Sequence, residues 1–284
     1  MKIIECPRDA MQGLHDFIPT EKKALYINQL LKVGFDTIDF GSFVSPKAIP
    51  QLKDTAQVLD QLDLTRTKSK LLAIIANLRG AEDAIQFEEI DYLGFPLSIS
   101  EQFQKRNTNK SIADALTTVA DIQNLCHKHN KTLVTYISMG FGNPYGEAFN
   151  EEIVAGFVEK LATLGVKIIS LSDTIGVAEP EVINSIFSTS INAYPSIEFG
   201  AHFHSTPDMT LEKLEAAYNA GCRRFDTAIK GFGGCPMAKN DLTGNVATER
   251  LISFLSSIKQ ETGLDKDAFD QAMLMSLDVF PQNG

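Results

Sequence analysis

Apolar and β-branched residues gather in eight short runs: Ile3–Cys6, Thr37–Phe43, Leu71–Asn77, Tyr92–Ser98, Thr132–Ser138, Lys167–Asp173, Glu198–His204 and Arg224–Lys230. Runs of this length and composition read as strands. The segments between them carry helical spacing with recognisable ends. Thr20 precedes Glu21–Lys32, with Gly34 after it, and Ser111 opens a run to His129. Asn150 opens another to Leu164, stopped by Gly165, and Thr206-Pro207 leads into Asp208–Asn219, closed by Gly221. After an eighth unit at Thr248–Glu261, a further amphipathic stretch, Asp265–Phe280, reads as an appended C-terminal helix. Eight strands alternating with helices, at roughly 35 residues a unit, predict an α/β fold, a (β/α)8 TIM barrel. An open doubly wound sheet is the alternative, but no GxGxxG follows the first strand. No linker of Ser, Gly and Pro divides the chain, so residues 1–284 are expected to form a single domain.

A barrel of this kind carries its chemistry at the C-terminal ends of its strands. Polar residues that finish apolar strands should therefore converge. Arg8 and Asp9 follow the first strand, Asp39 lies in the second, and Asp173 ends the sixth. His202 and His204 end the seventh, while Cys235 and Asn245 lie in the long loop after the eighth. The two imidazoles stand at i and i+2, on one face of their strand. A divalent cation would remove the repulsion between them, and a polar pair bonding loop carbonyls is the plainer alternative. Asp9 adds a carboxylate and Asn245 offers a carbonyl oxygen. Such a mixed nitrogen and oxygen set suits Mg²⁺ or Mn²⁺ better than a thiolate-bound zinc. Arg8 is a permanent cation suited to an oxyanion or enolate, or else half of an ion pair closing the barrel mouth. Gly231-Phe232-Gly233-Gly234-Cys235-Pro236 lets backbone approach a ligand closely. Cys235 at its end is a candidate for proton transfer, or a small residue filling a tight turn.

Other residues read more simply. Cys6 and Cys222 flank or enter strands as packing residues, and His127 and His129 cap a helix end in solvent. Lys105, Arg106 and Lys110 read as a solvated loop, with a phosphate contact open if the substrate carries one.

Composition narrows the partners. The 284 residues are 44% hydrophobic and 22% charged, with 36 acids against 26 bases and a net charge of −10. That balance is ordinary for a globular chain. The negative field argues against nucleic acid and anionic membrane as partners, and an anionic ligand would need positive charge concentrated at its site. The stretch Met1–Asp9 has no apolar signal region, and no apolar run approaches the ~18 residues that span a bilayer. Four scattered cysteines without a CxxC predict reduced thiols and a cytoplasmic setting.

Six short motifs add a resemblance. Pro7-Arg8-Asp9, Ser42-Phe43-Val44-Ser45-Pro46-Lys47, Asp173-Thr174-Ile175-Gly176, His202-Phe203-His204, Gly233-Gly234-Cys235-Pro236 and Gly244-Asn245-Val246-Ala247-Thr248-Glu249 fall in the order found in 3-hydroxy-3-methylglutaryl-CoA (HMG-CoA) lyases. The chain resembles that family of metal-dependent barrel lyases over nearly its whole length. The resemblance implies retro-Claisen cleavage of HMG-CoA, or a closely related acyl-CoA, to acetyl-CoA and acetoacetate. It implies leucine breakdown as the setting and a homodimer as the assembly. By position, Asp9, His202, His204 and Asn245 would hold Mg²⁺ or Mn²⁺ against the substrate's hydroxyl and carboxylate. Arg8 would stabilise the departing enolate, Cys235 would take part in proton transfer, and Asp39 occupies the place of a catalytic-site glutamate. The chain departs from the family at Gly13-Leu14, at Asp39, at Asn143 in place of a common cysteine, and at Ser205 in place of an aspartate. The segment between Cys235 and Asn245 is also one residue longer than usual. Two other readings stand beside the lyase: a condensing synthase of the isopropylmalate or homocitrate type, and a barrel that binds a metabolite without catalysis.

Overall fold

The computed structural model describes residues 1–234 and 243–280. Eight parallel strands follow one another around a closed sheet: β1 (Lys2–Glu5), β2 (Thr37–Ser42), β3 (Lys70–Ile74), β4 (Ile90–Ser98), β5 (Thr132–Ser138), β6 (Ile168–Asp173), β7 (Glu198–Ser205) and β8 (Arg224–Thr227). Pairing of β8 with β1 and of β6 with β7 completes the ring. The helices cross over its outside: α1 (Pro7–Gln12), α2 (Thr20–Val33), α3 (Thr55–Leu59), α4 (Leu78–Ala84), α5 (Glu101–Thr108) and α6 (Ile112–Lys128) in the first half. The second half adds α7 (Glu151–Thr163), α8 (Pro180–Ala193), α9 (Thr210–Asn219), α10 (Thr248–Ser257) and α11 (Lys266–Val279). This is the predicted TIM barrel, with the predicted C-terminal helix packed against α2. No helix among the described residues is long and apolar enough to cross a membrane.

Strand parity sorts the side chains into two layers, because successive residues face opposite sides of a sheet. Leu72, Ile74, Tyr92, Val134, Tyr136 and Ile168 form a small cluster inside the barrel. A much larger cluster, including Ile3, Ile38, Leu93, Ile169 and Phe203, lies between the strands and the helices.

The element ends differ from the sequence reading where side chains redirect the backbone. The third strand stops at Ile74 rather than Asn77, because the Asn77 side chain turns to cap α4 by accepting from the Gly80 N–H. The eighth stops at Thr227 rather than Lys230, because the Ile229 N–H leaves the ladder and donates to the Glu5 carboxylate (2.8 Å). The seventh runs on to Ser205, where a two-residue strand β9 (Gly244–Asn245) pairs with it antiparallel, His204 opposite Asn245. Lys105 and Arg106, read as loop, lie on α5, which the Ser100 side chain caps.

Glu5 is a buried acid with no ion-pair partner among the described residues; its other oxygen accepts from the Thr248 hydroxyl (2.6 Å). Burial pushes its carboxyl up to about 8, against these two hydrogen bonds. Between the ordinary value of 4.5 and about 8, the unfolded chain releases this proton while the folded chain keeps it. Stability is therefore lost as pH rises through that window. Glu5→Gln removes the slope and should stabilise the protein above pH 8 by on the order of 5 kcal/mol, with no gain near pH 4. Urea unfolding at three pH values checks it, and a difference that does not change with pH would count against it.

Candidate metal centre and active site

Pro7 starts α1 with its φ preset and no N–H to satisfy. The short helix then brings Arg8, Asp9 and Gln12 together, since Gln12 lies four and three residues on. Arg8 Nη1 donates to Asp9 Oδ1 (3.0 Å) and Gln12 Oε1 (2.9 Å), and Gln12 Nε2 donates to Asp9 Oδ1 (2.7 Å). The other edge of the guanidinium faces Asp39: Nε donates to both carboxylate oxygens (3.1 and 3.0 Å) and Nη2 to Oδ2. All three charged groups are buried. Burial opposes the charge on Arg8, but Asp39 and Asp9 outweigh it and hold the guanidinium protonated. Burial likewise opposes the Asp9 carboxylate, but Arg8 and the two histidines hold it well below the usual range. At Asp39 burial wins in part and pushes the carboxyl up to about 6 against the pull of Arg8, so it stays ionised at neutral pH.

The histidine pair meets this cluster from β7. Ligand atoms of Asp9, His202 and His204 all lie within 4.8 Å of one another. His204 Nδ1 donates to the Thr174 carbonyl (2.8 Å), which fixes the tautomer and leaves Nε2 with its lone pair. That Nε2 is buried, has no hydrogen-bond partner among the described residues, and stands 3.8 Å from Asp9 Oδ2. His202 Nδ1 faces Asp226 Oδ2 (3.2 Å), the carboxylate–histidine arrangement that orients imidazole ligands around a cation. Burial disfavours a charge on His202, but Asp226 outweighs it and raises its pKa above the ordinary value. An orphaned imidazole nitrogen aimed at an ionised carboxylate is the donor set of a divalent cation site. The residues present fit such an ion.

The glycine loop closes one side. A Cβ at Gly233 (φ 89°) would fall 2.9 Å from the Asp9 carbonyl oxygen and 2.7 Å from Asn245 Nδ2, so only glycine lets the loop pass here. Asn245 Nδ2 donates to Asp9 Oδ2 (2.7 Å) and to the Phe232 carbonyl (2.8 Å), tying that loop to the acid. Above these groups opens a cavity of about 400 Å³, floored by Arg8, Asp9, His202 and His204 and walled by Ile49, Phe103 and Arg106 among others.

The structure thus brings Arg8, Asp9, Asp39, His202, His204 and Asn245 into one place, while Cys235 lies outside the described residues. Asp173 does not join them. It shares strand parity with Leu171, so its carboxylate turns to the helix side and accepts from the Val177 and Ala178 N–H groups (2.9 and 3.0 Å) and from Lys213 Nζ (2.7 Å). Ser205 also points away, its hydroxyl donating to the Thr206 carbonyl, and Asn143 staples its own loop through Tyr145 and Glu147. Neither departure reaches the cluster. Cys6 and Cys222 are free and buried, and His127 and His129 are exposed, as read from the sequence; Cys126 is free and buried as well. Sequence reading missed Gln12, Asp226 and Thr174. Asp226 was legible in principle, since it alternates with Phe225 in the last strand.

A model of the HMGL-like family matches residues 2–275. The hydroxymethylglutaryl-CoA lyase YngG of Bacillus subtilis is 33% identical over 258 residues, covering 91% of this chain and 85% of that protein. A Pseudomonas aeruginosa enzyme named 3-hydroxy-3-isohexenylglutaryl-CoA/hydroxy-methylglutaryl-CoA lyase is 32% identical over 266 residues, 94% of this chain and 88% of the other. The solved structure of an HMG-CoA lyase from Acinetobacter baumannii, in complex with coenzyme A and 3-methylmalate, superposes with a TM-score of 0.90 at 32% identity, covering 98% and 90% of the two chains.

Proposed function

The chain belongs to the HMGL-like family, and from that membership and the site we propose that it is a divalent-metal-dependent carbon–carbon lyase that cleaves HMG-CoA to acetyl-CoA and acetoacetate. The observation that carries this reading is the His204 Nε2, unpartnered among the described residues, facing Asp9 beside a buried, charged Arg8. Asp9, His202 and His204, with Asn245 beside them, would hold Mg²⁺ or Mn²⁺. Such an ion supplies Lewis-acid polarisation of the substrate's tertiary hydroxyl and a template for its carboxylate.

The residues of the chain do the rest. Transfer of the hydroxyl proton to the Cys235 thiolate lets the C2–C3 bond break: the oxygen becomes the ketone of acetoacetate, and the bond's electron pair passes to C2 and is shared with the thioester oxygen as an enolate. Arg8, locked by Asp39 and Gln12, presents fixed positive charge where that oxyanion develops, and its preorganisation avoids reorientation during the reaction. A proton then returns to C2, for which Cys235 is the proposed carrier, and acetyl-CoA leaves with its thioester intact. Asp39 serves as the counter-charge that aims Arg8, one methylene shorter than a glutamate yet still within reach of Nε and Nη2. Arg106 at the cavity wall supplies local positive charge for an anionic acyl-CoA in a chain of net −10. The buried free thiols suit the reducing cytoplasm, where the chain would act as a homodimer.

Purified protein given HMG-CoA with Mg²⁺ or Mn²⁺ should form acetyl-CoA and acetoacetate in equal amounts, and none after chelation. Free CoA released from acetyl-CoA and a 2-oxo acid would instead establish condensation. Neither reaction in metal-loaded protein would overturn the enzyme reading for these substrates.

A further inference from the structure

The buried stripe of α9 contains a lysine. Lys213 shares that face with Thr210, Leu214 and Ala217 and is 1% exposed. A charge there needs a partner, and it has two acceptors. Its Nζ donates to Asp173 Oδ2 (2.7 Å) and to the backbone carbonyl of His204 (3.2 Å). Asp173 in turn gathers the Val177 and Ala178 N–H groups and so shapes the turn that begins at Thr174. The Thr174 carbonyl is the acceptor that fixes His204 Nδ1. Lys213 therefore grips His204 from both ends: directly through its backbone, and through Asp173 by way of the carbonyl that sets its ring.

We infer that Lys213 is a positioning residue for the metal centre, holding His204 so that Nε2 presents its lone pair to the ion; this rests on the metal reading above. Two physical arguments support it. A buried ion pair contributes little net stability compared with apolar residues of equal volume, so stability alone does not account for a lysine at this position. Groups that orient a ligating histidine typically govern affinity by about 10- to 100-fold.

The test is Mn²⁺ binding, read by electron paramagnetic resonance of the free ion, beside thermal unfolding in chelator. Lys213→Met should weaken Mn²⁺ binding by about 10- to 100-fold and lower the metal-free unfolding temperature, because Asp173 is left without its cation. The double variant Lys213→Met/Asp173→Asn removes both charges and should recover much of the unfolding temperature while Mn²⁺ binding stays at least about tenfold weak. Only a positioning role separates the two readouts in this way. Mn²⁺ affinity within threefold of wild type in either folded variant overturns the proposal and leaves the metal centre standing. A wild-type protein that binds no Mn²⁺ overturns the metal centre itself, and this inference with it.

Discussion

Arg8→Gln should lower kcat by about 10²- to 10³-fold while Mn²⁺ binding persists. Glutamine keeps amide donors but carries no charge, and the proposed work of Arg8 is on charge that exists only as the C–C bond breaks. Asp9 retains Gln12 and Asn245 as donors in the variant, so the ligand carboxylate stays in place. Asp39 loses the cation that restrains its pKa; already raised to about 6, it then rises further and is protonated at neutral pH, which spares the fold a bare buried carboxylate. The loss should fall on kcat rather than KM, the mark of an interaction made in the transition state. Turnover within tenfold of wild type, in a variant whose circular dichroism is unchanged, would remove Arg8 from the chemistry.

His204→Ala is the second large effect expected. It deletes the imidazole whose Nε2 has no hydrogen-bond partner among the described residues, so the ion loses a ligand. Metal affinity should drop by more than the about 10- to 100-fold assigned to an orienting residue, and turnover at micromolar metal should vanish. Millimolar Mn²⁺ should restore part of it, because Asp9 and His202 remain. Unchanged affinity in calorimetric titration would mean that the histidine pair is a hydrogen-bonding element of the barrel mouth and no more. The contrast with Arg8→Gln separates the two roles: one variant binds metal without turning over, the other fails to bind.

The barrel was legible because its period is local. Each β-branched run and each capped amphipathic stretch states its own conformation, and Ser111, Asn150 and Asp265 do cap the helices they precede. The same locality explains the errors. Asp173 looked like a site residue because it ends a strand, but one step of parity sends it outward. Lys105 and Arg106 looked like loop because their helix is short and polar. Gln12 and Asp226 escape a sequence reading because parity along a helix or strand tells which way a polar side chain faces but not which other side chain it meets.

By itself the sequence determined the order of strands and helices, the shared face of His202 and His204, and the six motifs that carry the family resemblance, since all of these depend on near neighbours or on order alone. Only the tertiary structure decided that Asp9 from the first unit, Asp39 from the second and Asn245 beyond the eighth close on that histidine pair. It also decided that Asp226 orients His202 and that Lys213 reaches the back of His204. The reason is ring closure: pairing β8 with β1 brings distant ends of the chain into hydrogen-bond range, and contacts across that ring have no period for a sequence to display.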